Sequence, residues 1–292
     1  MTDCTLVTCR LVPHLDPDDR MLMRELQHRG LDVEVADWSD PSVDWAASRL
    51  CVLRSTWDYH ERCDEFVAWV AAASELTRLQ NEPALLRWNA HKAYLRDLEQ
   101  CGVPIVPTAW VARGERLSLA QLAGNRGWSD VVLKPARGAA GHGVTLLRAQ
   151  MLALDSAQAR LDRLAETQAV LVQPYLSSVV TYGERALIFF ERRYSHAVVK
   201  KPFDTVLAIS DARSSLVEPT QQEIAVATAA LEAVPGEPIY ARVDLLRDER
   251  DIFVSEVELI EPALYLSVCE SARGDFADAI ERQLHATMEA KR

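Results

Sequence analysis

The sequence has no long hydrophobic run and no low-complexity tract, and these absences exclude several classes of protein. No segment of the 292 residues approaches the roughly 20 apolar residues that a membrane helix needs. The first residues, MTDCTLVTCRLVPH, lack the basic stretch and apolar run of a secretion signal. We therefore expect a cytoplasmic protein with no membrane partner.

Closely spaced cysteines are also absent, since none of the six cysteines belongs to a CxxC pair. Zinc sites and redox centres built from cysteine usually show such pairs. Cys4, Cys9 and Cys51 lie in strand-like runs. The sequence therefore favours small buried side chains over a zinc site or a disulfide framework.

The chain has no excess of basic residues, because its net charge is −11. This charge argues against nucleic acid as the main partner. It does not exclude ATP, since one basic pocket with magnesium can hold a nucleotide in an acidic protein. With 49% hydrophobic and 26% charged residues, the chain can bury a large core and form two domains or three small ones.

The first 80 residues alternate strand-like and helix-like patterns, which predicts a small parallel α/β domain over residues 1–88. We expect strands at 4–9, 31–38 and 49–54 and a helix at 64–76. Another helix should begin at the cap Asp16, with Pro17 in its first turn, and end before Gly30. The loop RSTWDYH lies where ligands bind in such sheets. Its residues are either a substrate wall or aromatic packing: Arg54, Ser55, Thr56, Trp57, Asp58 and Tyr59.

The pattern changes after residue 88. Residues 80–89 look like a crossing between domains, and Asn89 is a candidate cap for a helix at 90–101 that Gly102 ends. From residue 130, strands joined by short turns predict an antiparallel α+β region with helices near 156–167, 219–234 and 273–289. We divide this region into a central subdomain, 89–176, and a C-terminal subdomain, 177–292.

The strongest pattern is in residues 239–262, IYARVDLLRDERDIFVSEVELIEP, which read as a β-hairpin with its turn near residue 249. In the predicted register, the numbers of facing residues sum to about 498. Even positions then share one face and odd positions the other. The polar face holds Arg242, Asp244, Glu256 and Glu258, and the apolar face holds Val243, Leu245, Phe253, Val257 and Leu259.

Three carboxylates on one sheet face repel each other unless a cation joins them. Magnesium prefers oxygen ligands and shares them with substrate phosphates, so Asp244, Glu256 and Glu258 are candidate magnesium ligands. The alternative is a solvated polar face on an edge hairpin.

The segment VVLKPARGAAGHG combines a strand lysine with a glycine-rich turn. Lys134 can point a fixed charge at a phosphate, and the following turn can cover phosphates with its backbone N–H groups. Lys92 can add a second cation. In LVQPYL, Pro174 marks a break in strand pairing, so free backbone groups there could recognise an adenine edge.

In this order, these motifs resemble those of the ATP-grasp superfamily of carboxylate–amine ligases over residues 85–262. The resemblance implies an ATP-grasp fold, in which an N-terminal parallel α/β domain precedes a central lid subdomain and a C-terminal antiparallel sheet. It implies ATP and two Mg²⁺ ions as cofactors, with Asp244, Glu256 and Glu258 as the metal ligands. The implied ATP-binding residues are Lys92, Lys134, Gly138, Ala139, Ala140, Gly141, His142, Gly143, Gln173, Tyr175, Leu176 and Glu184.

One position departs from the family pattern, because the family commonly has E-x-N where this chain has Glu256-Val-Glu258. The extra charge should tighten magnesium binding while keeping an oxygen ligand. A narrower resemblance, in RSTWDYH, RWNAHKAYL, GVPIVPT and SHAVVKKP, is to the branch that includes O-ureido-serine cyclo-ligase. Many members of that branch have an F-R-x-Q segment. Here KKPFDTVLAISDARSSL replaces it, which suggests Arg213 as a substrate contact.

The resemblance implies that a small amino-acid carboxylate is activated as an acylphosphate and then attacked by a nitrogen, in ring closure of O-ureido-D-serine to D-cycloserine. Arg242 and Lys200 would offset charge on the transferred phosphoryl group. The alternatives are a ligase that joins two amino acids or extends a peptide, and an ATP-binding sensor. His142 and His196 could carry protons, although such histidines are more often structural or solvated, and His196 is the candidate substrate residue. A homodimer is compatible with the sequence.

Overall fold

The computed structural model describes residues 1–139, 141–200 and 214–289. Its first sheet is parallel, in the order β2, β1, β3, β4, as the N-terminal pattern predicts. The elements are β1 (Cys4–Thr8), α1 (Pro17–His28), β2 (Val33–Asp37), β3 (Leu50–Ser55), α2 (Cys63–Ser74) and β4 (Arg78–Gln80). Short 3₁₀ helices, η1 (Trp45–Ala47) and η2 (Tyr59–Arg62), flank β3. Because β1 and β3 are neighbours, the loops that follow them meet at one edge of the sheet.

The ends of α1 follow the sequence signals. The Asp16 side chain accepts a hydrogen bond from the backbone N–H of Asp18, and Pro17 begins the helix. Gly30 has φ +85°, the left-handed conformation that a glycine adopts after a helix end. Helix α1 packs against the long C-terminal helix α9 (Glu270–Glu289), where Arg29 pairs with Asp278 and Glu281.

The second sheet is antiparallel, in the order β11, β10, β9, β12, β13. Its strands are β9 (Glu184–Phe190), β10 (Arg193–Lys200), β11 (Ser214–Leu216), β12 (Tyr240–Arg247) and β13 (Ile252–Glu258). One face packs against α4 (Tyr94–Gln100) and α8 (Gln221–Glu232). The other face packs against α9 and the first sheet, with Phe190 stacked on Phe276 at 4.9 Å.

The third sheet is also antiparallel, in the order β5, β8, β6, β7. Its elements are β5 (Ala109–Val111), α5 (Leu119–Asn125), β6 (Val131–Pro135), β7 (Thr145–Leu147), η3 (Ala149–Met151), α6 (Asp155–Thr167) and β8 (Val170–Pro174), and α7 (Ser178–Thr181) follows. Strands β6 and β7 pair directly, so the glycine-rich segment between them is a hairpin turn, as expected. The antiparallel sheets and helices expected after residue 130 are thus present, and the subdomain borders at 88 and 176 stay predictions.

The predicted helix at 90–101 is wrong in its start. Residues 83–89 form a separate helix, α3 (Pro83–Asn89), and α4 begins only at Tyr94, so Lys92 lies between two helices. Asn89 caps neither helix. Its amide donates to the carbonyl of Val257 and accepts from the N–H of Leu259, both at 2.8 Å. Among the described strands β13 lies at the edge of its sheet, and these hydrogen bonds satisfy backbone groups that no described strand reaches.

The hairpin register also differs from the prediction. Arg242 faces Glu258 and Asp244 faces Glu256, so the numbers sum to 500, and the sum becomes 499 after a β-bulge near Ser255. A shift of two residues preserves which positions share a face, and the predicted polar face is therefore present. The bulge reverses the alternation in the rest of β13. Val254 enters the core, and Phe253, which we expected there, is half-buried.

The cysteines are free thiols, of which Cys4, Cys9, Cys51 and Cys63 are buried as expected, whereas Cys101 is exposed. Among the residues that the structure describes, no helix is both long and apolar enough to cross a membrane.

Candidate active site

The candidate site lies on the face of the second sheet that turns toward the first sheet. Three successive rungs of this face carry Glu184 with Lys200, then Asp244 with Glu256, then Arg242 with Glu258. At its other end the same face is apolar and covered by α9. The strand register alone therefore concentrates four carboxylates and two cations at one end of the sheet.

Three of these carboxylates form a compact group. One oxygen each from Asp244, Glu256 and Glu258 lies within 4.8 Å of the others, and no other such group occurs in the described ranges. All three offer hard oxygen ligands from rigid strands, which suits Mg²⁺. The donor set and spacing thus fit the ion that the sequence predicts.

Cationic side chains hold this group together. Arg242 donates to Asp244 with both Nε (2.9 Å) and Nη2 (3.0 Å), and it also pairs with Glu258. Lys200 Nζ lies 2.9 Å from Glu184 and 2.5 Å from Asp244. Lys92 pairs with Glu256. The structure thus joins predicted phosphate-binding and metal-binding residues in one network.

The network gives each carboxyl a different pKa. Burial would raise the pKa of Asp244, but Arg242 and Lys200 lower it to about 2. At Glu256, burial acts to raise the pKa, but the positive charge and the hydrogen bond of Lys92 act to lower it. The net result is a lowered pKa. Burial and the charges of Glu256 and Asp244 outweigh Arg242 at Glu258, whose pKa rises to about 7. Glu258 is therefore the least compensated of the three.

Lys134 lies on β6 and faces the same network without an ion-pair partner among the described residues. Burial is the main cause that lowers its pKa, and the positive charges of Lys92 and Lys200 add to this effect. The negative charges of Glu256 and Glu184 act in the opposite direction. A half-buried, unpaired ammonium at this position is available to an anionic ligand.

The glycine-rich turn reaches the first sheet's loops. The ring centroids of His142 and His60 are 5.2 Å apart, and Arg137 forms a 2.8 Å ion pair with Asp64. Gly143 has φ +75°, and a Cβ there would come within 2.9 Å of the Pro135 ring, so this position requires glycine. Gly138, Ala139 and Gly141 lie in the same turn, and Ala140 lies outside the described residues.

The expected adenine-binding residues lie at the end of β8. Gln173 is buried and donates to the hydroxyl of Thr108 at 2.9 Å, and Tyr175 and Leu176 are half-buried. The predicted break in strand pairing at Pro174 is wrong, because Pro174 still pairs with Val131 in the ladder between β8 and β6. The N–H of Tyr175 bonds to the carbonyl of Asp130 at 2.9 Å, so this backbone donor is not free. Glu184, the expected ribose-binding residue, is engaged by Lys200 and Ser255.

The segment RSTWDYH comprises the last two residues of β3 and the loop that follows, and its side chains differ in their surroundings. Arg54 is fully buried between Asp19 and the carbonyl of Pro262, and Ser55 donates to Asp19. Thr56 is buried and Trp57 is half-buried, while Asp58 accepts from Trp38 and Arg62. Tyr59 alone of the six predicted residues lines the cleft beside Lys92 and Glu256. Tyr59 also packs against Phe66, with ring centroids 5.0 Å apart, so the packing alternative is confirmed for it, and the substrate-wall alternative stays a prediction.

The remaining predicted residues lie apart from the cleft or cannot be placed. His196 is buried, and its Nε2–H donates to the carbonyl of Leu264 at 3.0 Å, while Nδ1 meets the hydroxyl of Ser195. Arg213 lies outside the described residues.

Sequence reasoning missed Glu261, which lines the same cleft as Tyr59, Lys92 and Glu256. It is only 7% exposed. Burial and the charges of Glu258 and Glu256 raise its pKa well above the ordinary range. Strict alternation would place residue 261 on the apolar side, but β13 ends at Glu258 and the alternation ends with it. The neighbouring Pro262 was the available signal of that change.

Comparison with known proteins agrees with this geometry. Residues 4–81 match the family model "D-cycloserine synthetase DcsG, N-terminal domain". Over 298 aligned residues, covering 96% of this chain and 98% of the relative, the chain is 35% identical to cycloserine biosynthesis protein DcsG of Streptomyces lavendulae. The chain belongs to the DcsG family of ATP-grasp ligases.

Solved structures support the family and the fold. The crystal structure of D-cycloserine synthetase DcsG matches with a TM-score of 0.88 at 33% identity, covering 96% of this chain and 99% of that one. D-alanine–D-alanine ligase from Bacillus anthracis, complexed with ATP, matches with a TM-score of 0.67 at 13% identity, covering 99% and 98%. The ATP-grasp fold is thus confirmed, and this DcsG-family chain is an ATP-dependent ligase.

Proposed function

We propose that this protein closes the ring of O-ureido-D-serine to form D-cycloserine, as a cytoplasmic enzyme of antibiotic biosynthesis that uses ATP and magnesium. The observation that carries the proposal is the 35% identity to a cycloserine biosynthesis protein over 96% of the chain. The assembled charged face supplies the groups that such a reaction needs.

ATP would lie between the second and third sheets. Lys134, which has no ion-pair partner in the part of the chain that the structure describes, would bind its phosphates, and Lys92 would join it if Glu256 binds a metal ion. The turn from Gly138 to Gly143 covers the phosphates with backbone N–H groups. Gln173, Tyr175 and Leu176 line the base, and Glu184 accepts from the ribose hydroxyls.

Two magnesium ions would be held by Asp244, Glu256 and Glu258. The spacing of these carboxylates supports a metal ion with oxygen ligands. When bound by these residues, magnesium would supply charge neutralisation for the phosphates. Arg242 and Lys200, which pair with these carboxylates, also offset charge on the transferred phosphoryl group.

The chemistry follows from the two reacting groups. A carboxylate oxygen of the substrate attacks the γ-phosphorus, the bond to the bridging oxygen breaks, and ADP leaves. The ureido nitrogen that is bonded to oxygen then attacks the acyl carbon, and phosphate leaves. Because the cyclic product lacks the carbamoyl group, water then adds to the carbamoyl carbon, the bond from that carbon to the ring nitrogen breaks, and the group leaves as carbamate, which decomposes to CO2 and ammonia. The chain's main contribution is to hold a bent substrate conformer and to exclude water.

The test is ADP release with O-ureido-D-serine as the sole substrate, with the product identified by mass. We expect ADP and D-cycloserine in equal amounts. ADP release only after addition of a second amino acid would show a ligase that joins two molecules. Tight ATP binding without ADP release, across a panel of D- and L-serine derivatives, would show a sensor instead.

A further inference from the structure

We infer that Glu261 and Tyr59 form a subsite that binds the ammonium group of an amino-acid substrate. The inference rests on the proposed function, because it assigns the amine of that substrate a place in the same cleft. Neither residue is a candidate metal ligand. Tyr59 follows β3 and Glu261 follows β13, so the subsite joins the first sheet to the second.

The two side chains share an unusual state. Each is only 7% exposed, and both line the cleft that also contains Lys92, Glu256 and Gly138. Among the described residues, the carboxyl of Glu261 has no hydrogen bond or ion pair, and the hydroxyl of Tyr59 has no hydrogen bond. Neither group is among the fully enclosed polar atoms that lack a partner, so both are open to the cleft and available to a ligand there.

The backbone around Glu261 is fixed from both sides. The hydroxyl of Tyr240 donates to the carbonyl of Ile260 at 2.8 Å, and Nη2 of Arg54 donates to the carbonyl of Pro262 at 2.7 Å. Arg54 and Tyr240 are themselves buried. The carboxyl is therefore positioned by its neighbours while its own oxygens stay available, which is the arrangement of a preorganised binding group.

The chemistry of the pair selects a cation that donates hydrogen bonds. A primary ammonium has three donors and no acceptor. Its positive charge offsets the burial and the repulsion from Glu258 and Glu256 that favour the protonated form of Glu261, so in the complex a carboxylate and a phenolic oxygen offer matching acceptors. The nearby lysine, Lys92, already pairs with Glu256. The three carboxylates spaced to bind a metal ion do not include Glu261. An α-ammonium bound at this position keeps the adjacent substrate carboxylate inside the cleft that Lys92 and Gly138 line.

The test compares O-ureido-D-serine with its analogue lacking the amine, 3-(ureidooxy)propanoate, in wild type, Glu261→Gln and Tyr59→Phe. We expect wild type to prefer the amine in kcat/KM by about 10- to 100-fold, the range of a charged hydrogen bond. Glu261→Gln should reduce this preference to less than about 3-fold, mainly through KM, and Tyr59→Phe should reduce it less. The KM for ATP and the magnesium dependence should not change. Glu249→Gln, at the exposed hairpin tip, is the matched control.

Several outcomes overturn the inference. The inference is wrong if Glu261→Gln keeps the amine preference of wild type, whether or not its magnesium requirement changes. It is also wrong if wild type uses both compounds equally. This last measurement needs no variant, so it remains decisive even if Glu261→Gln does not fold. If wild type turns over neither compound, the proposed function fails separately. Calorimetry with D-serine and 3-hydroxypropanoate, beside a non-hydrolysable ATP analogue, then decides the subsite: preference for D-serine supports it and no preference rejects it.

Discussion

Arg242 donates two hydrogen bonds, of 2.9 Å and 3.0 Å, to the carboxylate of Asp244, which lies two residues later on the same strand. Both side chains are buried, so water does not replace this contact. The pair keeps a carboxylate ionised in the sheet interior, with a pKa of about 2. A metal ligand that is ionised before the metal arrives needs no proton release on binding.

Replacing Arg242 should therefore destabilise the protein. In Arg242→Met, Asp244 and Glu258 lose their shared partner, and we expect a loss of roughly 3–5 kcal/mol in the free energy of unfolding. Arg242→Lys should lose less, because a lysine keeps the charge but not the forked geometry. Urea unfolding without magnesium measures both effects. The exposed Arg250→Met on the same hairpin is the control, and equal stability of Arg242→Met and this control would refute the expectation.

Glu256→Gln should abolish turnover and keep the fold. The variant loses a ligand charge at the metal group, and we expect ADP formation to fall at least about 100-fold, since metal-mediated charge stabilisation contributes several kcal/mol. Circular dichroism and thermal unfolding establish that the variant is folded, with Glu249→Gln treated in parallel. Near-normal ADP formation would mean that the metal assignment is wrong.

Lys134→Ala should weaken ATP binding by about 1.5–3 kcal/mol, the contribution of one charged hydrogen bond. Calorimetric titration with a non-hydrolysable ATP analogue measures this. Lys134 has no ion pair among the described residues, so its removal should not destabilise the ligand-free protein. Unchanged affinity would place the phosphate site elsewhere.

Burial of Lys134 should also make the stability of the protein depend on pH. The folded pKa of Lys134 lies below the ordinary 10.5, so the unfolded chain binds its proton more readily. Stability should therefore rise with pH between the lowered pKa and 10.5. Lys134→Met should lack this rise, and parallel pH profiles of wild type and variant would contradict the burial argument.

Burial of His196 should make the folded protein less stable in acid. Burial lowers the pKa of His196 from 6.5 to about 4, so the folded protein holds the neutral ring while the unfolded chain takes up a proton below pH 6.5. Stability from this residue is complete above pH 6.5 and should decrease by about 3 kcal/mol as pH falls to 4. His196→Gln, which keeps a donor for Leu264, should show a weaker decrease in urea unfolding over this range. An identical decrease would assign the acid sensitivity to other groups.

Periodicity in the sequence predicted which residues share the charged face of the second sheet. Alternation along 240–258 was enough to place Arg242, Asp244, Glu256 and Glu258 on one face, because a strand has a period of two and a register error of two residues leaves its faces unchanged. The same rule failed for the residues that precede Ser255 in β13. There the bulge adds one residue, so Val254 rather than Phe253 lies in the core. A bulge has no reliable signal in a single sequence.

Local residue types also determined the start of α1 and the glycine turn, since capping and positive φ depend on near neighbours. Contacts between distant segments decided the rest. Asn89 bonds to the edge of β13 instead of capping a helix, and Arg54 fixes Pro262 instead of facing a ligand. Glu261 lines the same cleft as Tyr59 only because two sheets pack together. These partners lie more than 150 residues apart, and the free energy that selects them comes from burial and hydrogen bonds that exist only in the folded chain.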